Sequence, residues 1–203
     1  MRTLPHALLA TPDGLALPAG AETDGRFAIV EAAASVESLR HSLAGGAAGI
    51  ALAGCRDGAA VQRLAVLLSV AEAEEGRPEG STPILAVTDG ILPAPSSPRN
   101  LSGKSGRLAG LVWDERALAG ALNARRSRAG NGEWTGAFAA ARAAVLLTAA
   151  AAGIPAYDSV SELDGEAFAA DCRRSRDDGF FGRVAGDEAQ LAAIEAAYGQ
   201  ARG

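Results

Sequence analysis

Three aspartates close three apolar runs. Asp89 follows Ile84-Leu85-Ala86-Val87-Thr88, Asp114 follows Leu108-Ala109-Gly110-Leu111-Val112-Trp113, and Asp158 sits within Ala156-Tyr157-Asp158-Ser159-Val160. Carboxylates are hard oxygen donors, and three of them at the C-terminal ends of parallel strands could converge on a metal ion. Each also has a structural reading: Asp89-Gly90 as a turn, Asp114 as a helix-start residue, Asp158 as an acceptor for backbone N–H groups. Arg56, just after another apolar run, is the nearest cation to such a rim, as an anion binder or as a solvated loop residue. Arg125, Arg126 and Arg128 share a polar loop, where they either grip phosphates by charge-assisted hydrogen bonds or are simply solvated. His6 and His41 are the only histidines, so no Ser-His-Asp or Cys-His arrangement can be argued. Gly103-Lys104-Ser105-Gly106 lacks the glycine spacing of a phosphate loop.

From residue 27 onward the chain alternates strand and helix signals. Strands are expected at residues 27–31, 49–53, 84–87, 109–113, 156–160 and 180–184. Helices are expected at 36–44, 59–75, 117–122, from Thr135 to near Gly153, at 166–178 and at 187–201. That rhythm predicts a parallel α/β sheet or barrel. Ser35 and Thr135 read as N-caps, and Gly45-Gly46 as a helix stop. The polar loop 91–106 is long enough to be functional or mobile. Residues 7–10 and 14–17 each read as a short strand, but the link between them has no room for a crossover helix, so they cannot be parallel neighbours. Residues 1–26 otherwise read as an irregular N-terminal segment of a single domain, 1–203.

With 203 residues, 48% of them hydrophobic and 21% charged, the chain can bury one substantial core. A net charge of −5 and the lack of an aromatic-interleaved basic patch argue against nucleic acid. No apolar run reaches the roughly 20 residues that a membrane span needs. The N-terminus is too weakly apolar for a signal peptide. Cys55 and Cys172 form no CxxC and read as free thiols, so a cytoplasmic protein is expected.

The C-terminal half carries a specific series. It runs from Gly110-Leu111-Val112-Trp113 with Leu118, through Ala152-Gly153-Ile154-Pro155-Ala156-Tyr157-Asp158-Ser159-Val160, to Gly179-Phe180-Phe181-Gly182-Arg183 and Gln190. In order these resemble the sixth strand, the "A-G-I-x-A-x-D-x-V" seventh strand, the "G-F-x-G-K" eighth strand and the Gln of "H-P-x-Q" in the HpcH/HpaI aldolase and citrate lyase beta-subunit family. The resemblance spans about residues 27–198 and is strongest after Arg107.

It implies a TIM-type (β/α) barrel, incomplete on its N-terminal side because the first strand–helix unit with its "D-L-E-D-A" stretch is absent. In that family a Glu ending the fifth strand and an Asp after the sixth hold Mg²⁺, and an Arg on the third strand binds substrate. Here Asp89 stands for the Glu, Ala117 falls where the Asp is expected, and residues 27–31 hold no arginine. The implied site is therefore a rearranged Mg²⁺ site of Asp89, Asp114 and Asp158. Asp89 and Arg56 become the catalytic candidates, and Arg125, Arg126 and Arg128 the grip on a coenzyme A thioester. The implied function is a carbon–carbon bond lyase on an acyl-coenzyme A or 2-oxo acid substrate. The alternative is an inactive family member that keeps the barrel for binding or assembly. A missing unit would leave a sheet edge, from which a homo-oligomer is expected.

Overall fold

A computed structural model describes residues 4–18, 25–130 and 132–199. Strands β1 (Ala7–Thr11), β2 (Gly14–Ala16), β3 (Arg26–Val30), β4 (Gly49–Leu52), β5 (Ile84–Thr88), β6 (Leu108–Trp113), β7 (Ala156–Asp158) and β8 (Gly182–Ala185) close into one barrel in chain order. The helices are α1 (Val36–Ala44), α2 (Gly58–Glu74), α3 (Glu115–Leu122), α4 (Gly136–Ala152), α5 (Gly165–Asp178) and α6 (Leu191–Tyr198).

Within the N-terminal segment, the two runs expected as short strands are β1 and β2, which form an antiparallel hairpin across Pro12 and Asp13, and β2 pairs antiparallel with β3; residues 1–3 and 19–24 lie outside the described residues. A two-residue link can join antiparallel strands but not parallel ones, which is why β2 alone runs against the wall. β1 then pairs parallel with β8, Ala7 opposite Arg183 and Leu9 opposite Ala185, so the wall is complete. Among the described residues, this side lacks helices rather than strands. The open edge from which self-association was expected does not exist.

Alternation along the strands sorts side chains into two cores. Leu8, Leu15, Phe27, Leu85, Val112 and Tyr157 fill the interior. Their strand neighbours, Ala28, Ile50, Ala86, Leu111 and Trp113 among them, face the helices. β5 and β6 are joined by residues 89–107 without a helix. The long loop that was expected to be functional or mobile packs against the helices: Leu101 is fully buried in the outer core, Arg99 O accepts from Gly58 N (2.8 Å), and Ser102 Oγ donates to Ala151 O (2.9 Å).

Local signals set the helix ends. Ser35 closes a capping box with Ser38, and Asp57 accepts from Ala60 N at 3.1 Å to start α2. Thr135 occupies the N-cap of α4, yet its hydroxyl donates to Ser127 O (3.0 Å) instead of capping the helix. Among the described residues no helix is long and apolar enough to cross a membrane.

The seam between β8 and β1 depends on one glycine. A Cβ on Gly182 would lie 2.0 Å from the His6 carbonyl oxygen, which is backbone and cannot swing aside. Gly182→Ala is expected to cost about 2 kcal/mol, in the middle of the typical range of overpacking penalties. Urea denaturation checks this, and an unchanged midpoint would show that the seam yields freely.

Candidate functional site

The C-terminal ends of β4, β5 and β6 form one side of the barrel rim. After β4 the chain turns at Gly54, whose φ of +63° suits glycine. The turn delivers Arg56 before α2 begins. Asp89 comes directly off β5, and Asp114 directly off β6, where its backbone N–H donates to Thr88 O at 2.7 Å. Gly54, Arg56, Val87, Thr88, Asp89, Asp114 and Ala117 line a common cavity of about 250 Å³. Three of the residues expected from sequence are thus brought together.

Asp89 is tightly held. Its Oδ2 accepts from Arg56 Nε (3.0 Å) and Nη2 (2.5 Å), and its Oδ1 from Ile91 N (2.9 Å). The Asp89 side chain is 6% exposed and that of Arg56 55%, so the guanidinium lies over the carboxylate from the solvent side. Behind it, Trp113 Nε1 donates to the Asp89 carbonyl at 3.3 Å. Asp114 caps α3, Oδ1 accepting from Ala117 N at 3.0 Å, as its helix-start reading expected. The turn reading of Asp89 also has a counterpart in its bond to Ile91 N.

Asp158 is elsewhere. Tyr157 points into the barrel core, so Asp158, the next residue, points outward beneath α4 and α5. It is completely buried. Oδ2 accepts from Arg142 Nη2 (2.9 Å), Arg183 Nη2 (3.4 Å) and the Ser175 hydroxyl, and Oδ1 from Ser159 N (2.9 Å). Burial alone would raise its pKa, but the Arg183 and Arg142 guanidiniums hold the carboxyl below the usual range. The expected metal triad of Asp89, Asp114 and Asp158 is therefore not assembled. Among the described residues no group of three His, Cys, Asp or Glu side chains is placed to hold a metal ion.

Arg128 belongs to the same outer network. Its Nη2 is shared between the two Asp171 oxygens (3.0 and 3.1 Å), its Nη1 donates to Gly132 O, and its guanidinium lies 3.6 Å from the Trp134 ring centroid. A guanidinium so committed has little left for a phosphate, which separates it from its expected partners. Arg125 and Arg126 are exposed.

Sequence reasoning passed over Arg142, Arg183, Asp171 and the Glu72–Arg107 pair. A signal was present for two of them: Arg142 is the sole charge in α4, and Arg183 sits inside the short apolar strand β8. A charge in an otherwise apolar buried element needs a buried partner.

The architecture and the placement of the rim define a TIM-type barrel protein with a cavity at the C-terminal ends of its strands. No family model and no curated protein matches the sequence. Solved structures share the fold. CitE from Mycobacterium tuberculosis, in complex with magnesium, acetoacetate and coenzyme A, matches with a TM-score of 0.65 at 21% identity, over 86% of this chain and 61% of that one. The same protein with the triphosphate group of ATP gives 0.66 at 21%, over 88% and 76%. RipC from Yersinia pestis gives 0.63 at 19%, over 85% and 76%. The chain is thus similar in fold to the citrate lyase beta subunit while spanning about three fifths of the first of these structures.

Proposed function

We propose that this chain is a divergent, shortened member of the citrate lyase beta-subunit-like family. Its rim would bind an acyl-coenzyme A or 2-oxo acid substrate for carbon–carbon bond cleavage or formation. The observation that carries this is the convergence of Arg56, Asp89 and Asp114 on one cavity, in a barrel of the same fold as structures determined with magnesium, acetoacetate or oxaloacetate.

The donor set is compatible with Mg²⁺, which commonly takes one or two carboxylates and completes its shell with water and substrate oxygens. Asp89 and Asp114 would hold it, and the ion would polarise the enolate oxygen that develops as the bond breaks. The rest falls to the chain. Arg56, largely exposed, rotates from Asp89 towards a substrate carboxylate, and the Trp113 bond keeps the Asp89 backbone in place. Arg125 and Arg126, on an exposed loop, are the cations available to coenzyme A phosphates. A cytoplasmic setting fits the two free, buried thiols Cys55 and Cys172.

Calorimetric titration with Mg²⁺ and Mn²⁺, with and without oxaloacetate or a coenzyme A ester, tests the reading. Asp89→Asn is expected to weaken metal binding at least about tenfold, roughly 1.4 kcal/mol, with little change in melting temperature. Absence of binding heat from the unmodified chain would favour a second reading, a barrel kept for binding or assembly without catalysis. Two features support that alternative: Ala117 lines the cavity where the family resemblance expects a ligand, and Arg56 already neutralises Asp89.

A further inference from the structure

We propose that the outward face of α2 is a self-association surface, covered by α2 of a second copy of this chain in antiparallel register about a two-fold axis. The association needs no ligand at the rim.

A helix on the outside of a barrel needs one apolar stripe facing the wall and a polar face towards water. α2 has its wall-facing stripe in Val61, Leu64, Leu68 and Ala71, all buried. Its opposite face is charged only near its two ends. Ala59, Arg63, Val66, Val70 and Ala73 are exposed and recur at four- and three-residue spacing, which sets them on one line along the helix. Val66 is 66% exposed and Val70 43%. α1 and α5 are built the usual way, turning Glu37, Arg40 and His41, or Arg173, Arg174 and Asp177, to solvent. Single apolar side chains on a surface are ordinary, but two valines a turn apart between alanines form a strip. Beside it lies a groove of about 570 Å³ lined by Ser69, Val70, Ala73, Glu74, Arg77 and Glu79.

Charge selects the occupant. Arg63 and Glu74 flank the valines on the same side of α2, but about three turns, roughly 16 Å, separate them, too far to pair with each other. Among the described residues Arg63 has no ion-pair partner. Arg40 is shared between Glu74 (3.1 Å) and Glu75 (2.8 Å), one cation for two carboxylates. The face thus carries an unmatched positive charge at one end and a surplus negative charge at the other. A second α2 laid antiparallel satisfies both: Arg63 meets Glu74 of the second copy, and Glu74 meets its Arg63. The midpoint of that register falls between Leu68 and Ser69. Val66 then lies against Val70 of the second copy, directed at the groove beside it. A parallel pairing would set Arg63 against Arg63 and Glu74 against Glu74. The pattern is self-complementary, as an isologous interface requires, and it places self-association on a helix face instead of a sheet edge. One helix pair is a small contact, so the dimer is expected to be weak, with a Kd on the order of 10–100 µM.

Sedimentation velocity of the full chain, over a concentration range from about tenfold below to tenfold above that Kd, is the test. The mean mass is expected to climb from monomer to dimer across the range. Val66→Lys should hold it at monomer. Arg63→Glu sets two glutamates together at each end of the pairing and should weaken association at least about tenfold. Glu74→Arg should do the same by setting two arginines together. The double variant Arg63→Glu/Glu74→Arg restores opposite charges and should recover most of the loss. All three positions are exposed, and melting curves of the variants establish that they fold. A monomer at every concentration overturns the inference. So does a dimer that Val66→Lys leaves intact, since association then uses another face, such as α4 with its exposed Leu147. A dimer weakened by each single charge reversal but not recovered in the double variant overturns the antiparallel register.

Discussion

Asp158→Ala is expected to lower the stability of the folded chain by about 3–5 kcal/mol, the usual cost of breaking a buried ion pair from one side. The carboxylate is fully buried, and so nearly are its partners: Arg183 is 1% exposed and Arg142 7%. Removing Asp158 leaves Arg183 with Asp171 at 2.7 Å and Arg142 with the half-exposed Asp178, while a buried acceptor for two guanidiniums disappears. For a domain of this size each kcal/mol moves the melting temperature by roughly 2–4 °C, so a loss on the order of 10 °C should be seen by circular dichroism. Asp114→Ala provides the scale, because it removes only a helix cap worth about 1 kcal/mol. If the two variants melt together, the outer network is not what holds β7 and β8 to α4 and α5. Acid should act similarly on the parent chain. The folded pKa of Asp158 is depressed, so its stabilisation is present above its unfolded value of about 3.9 and is lost as pH falls through the folded value.

The misplacement of Asp158 shows where sequence becomes ambiguous. All three aspartates end apolar strands, and parallel strands buried on both faces give no alternation to reveal which side is which. For β7, Ala156, Tyr157 and Asp158 are all buried, and a shift by one residue exchanges interior and exterior. Asp89 and Asp114 were legible as neighbours for a different reason. They leave adjacent strands at the same end, and β5 and β6 are paired up to Thr88 opposite Trp113.

Closure of the barrel was the harder feature. The hairpin was readable from its short link, since the chain between β1 and β2 cannot hold a crossover. That β1 then meets β8 is a contact between the two ends of the sequence, and no local pattern encodes it. The loop after β5 was opaque for a related reason: two leucines, Leu92 and Leu101, replace a helix as cover, and in the sequence they are separated by a polar, proline-rich stretch. Sequence thus revealed the rhythm of elements and half of the rim, while long-range pairing supplied the rest.

Arg107→Leu is expected to be comparably damaging at the opposite end of the barrel, where β5 and β6 begin. Glu72, on α2, is fully buried, and its two oxygens accept from Arg107 Nη1 and Nη2 at 2.7 Å each. Gly80 N (2.8 Å) and Thr82 N (2.7 Å) donate to the same carboxylate, so one side chain ties α2 to the entries of both strands. Loss of the guanidinium would leave a buried carboxylate with neutral donors only, at a cost of about 3–5 kcal/mol. The double variant Glu72→Leu/Arg107→Leu should recover part of that loss, because no uncompensated charge remains, though two backbone N–H groups then lack their acceptor. The pH dependence separates these effects. Burial alone would raise the Glu72 pKa, but Arg107 and the Thr82 and Gly80 donors bring it from 4.5 to about 2. A depressed folded value means that the stabilisation is complete above about pH 4.5 and lost as pH falls towards 2, about 3 kcal/mol in all. Urea denaturation across that window should show the decline in the parent chain and a much shallower one in both variants. An equally steep decline in the double variant would assign the acid sensitivity to other carboxylates, with Asp158 the first to test, and would remove Glu72 as the link between α2 and the base of the barrel.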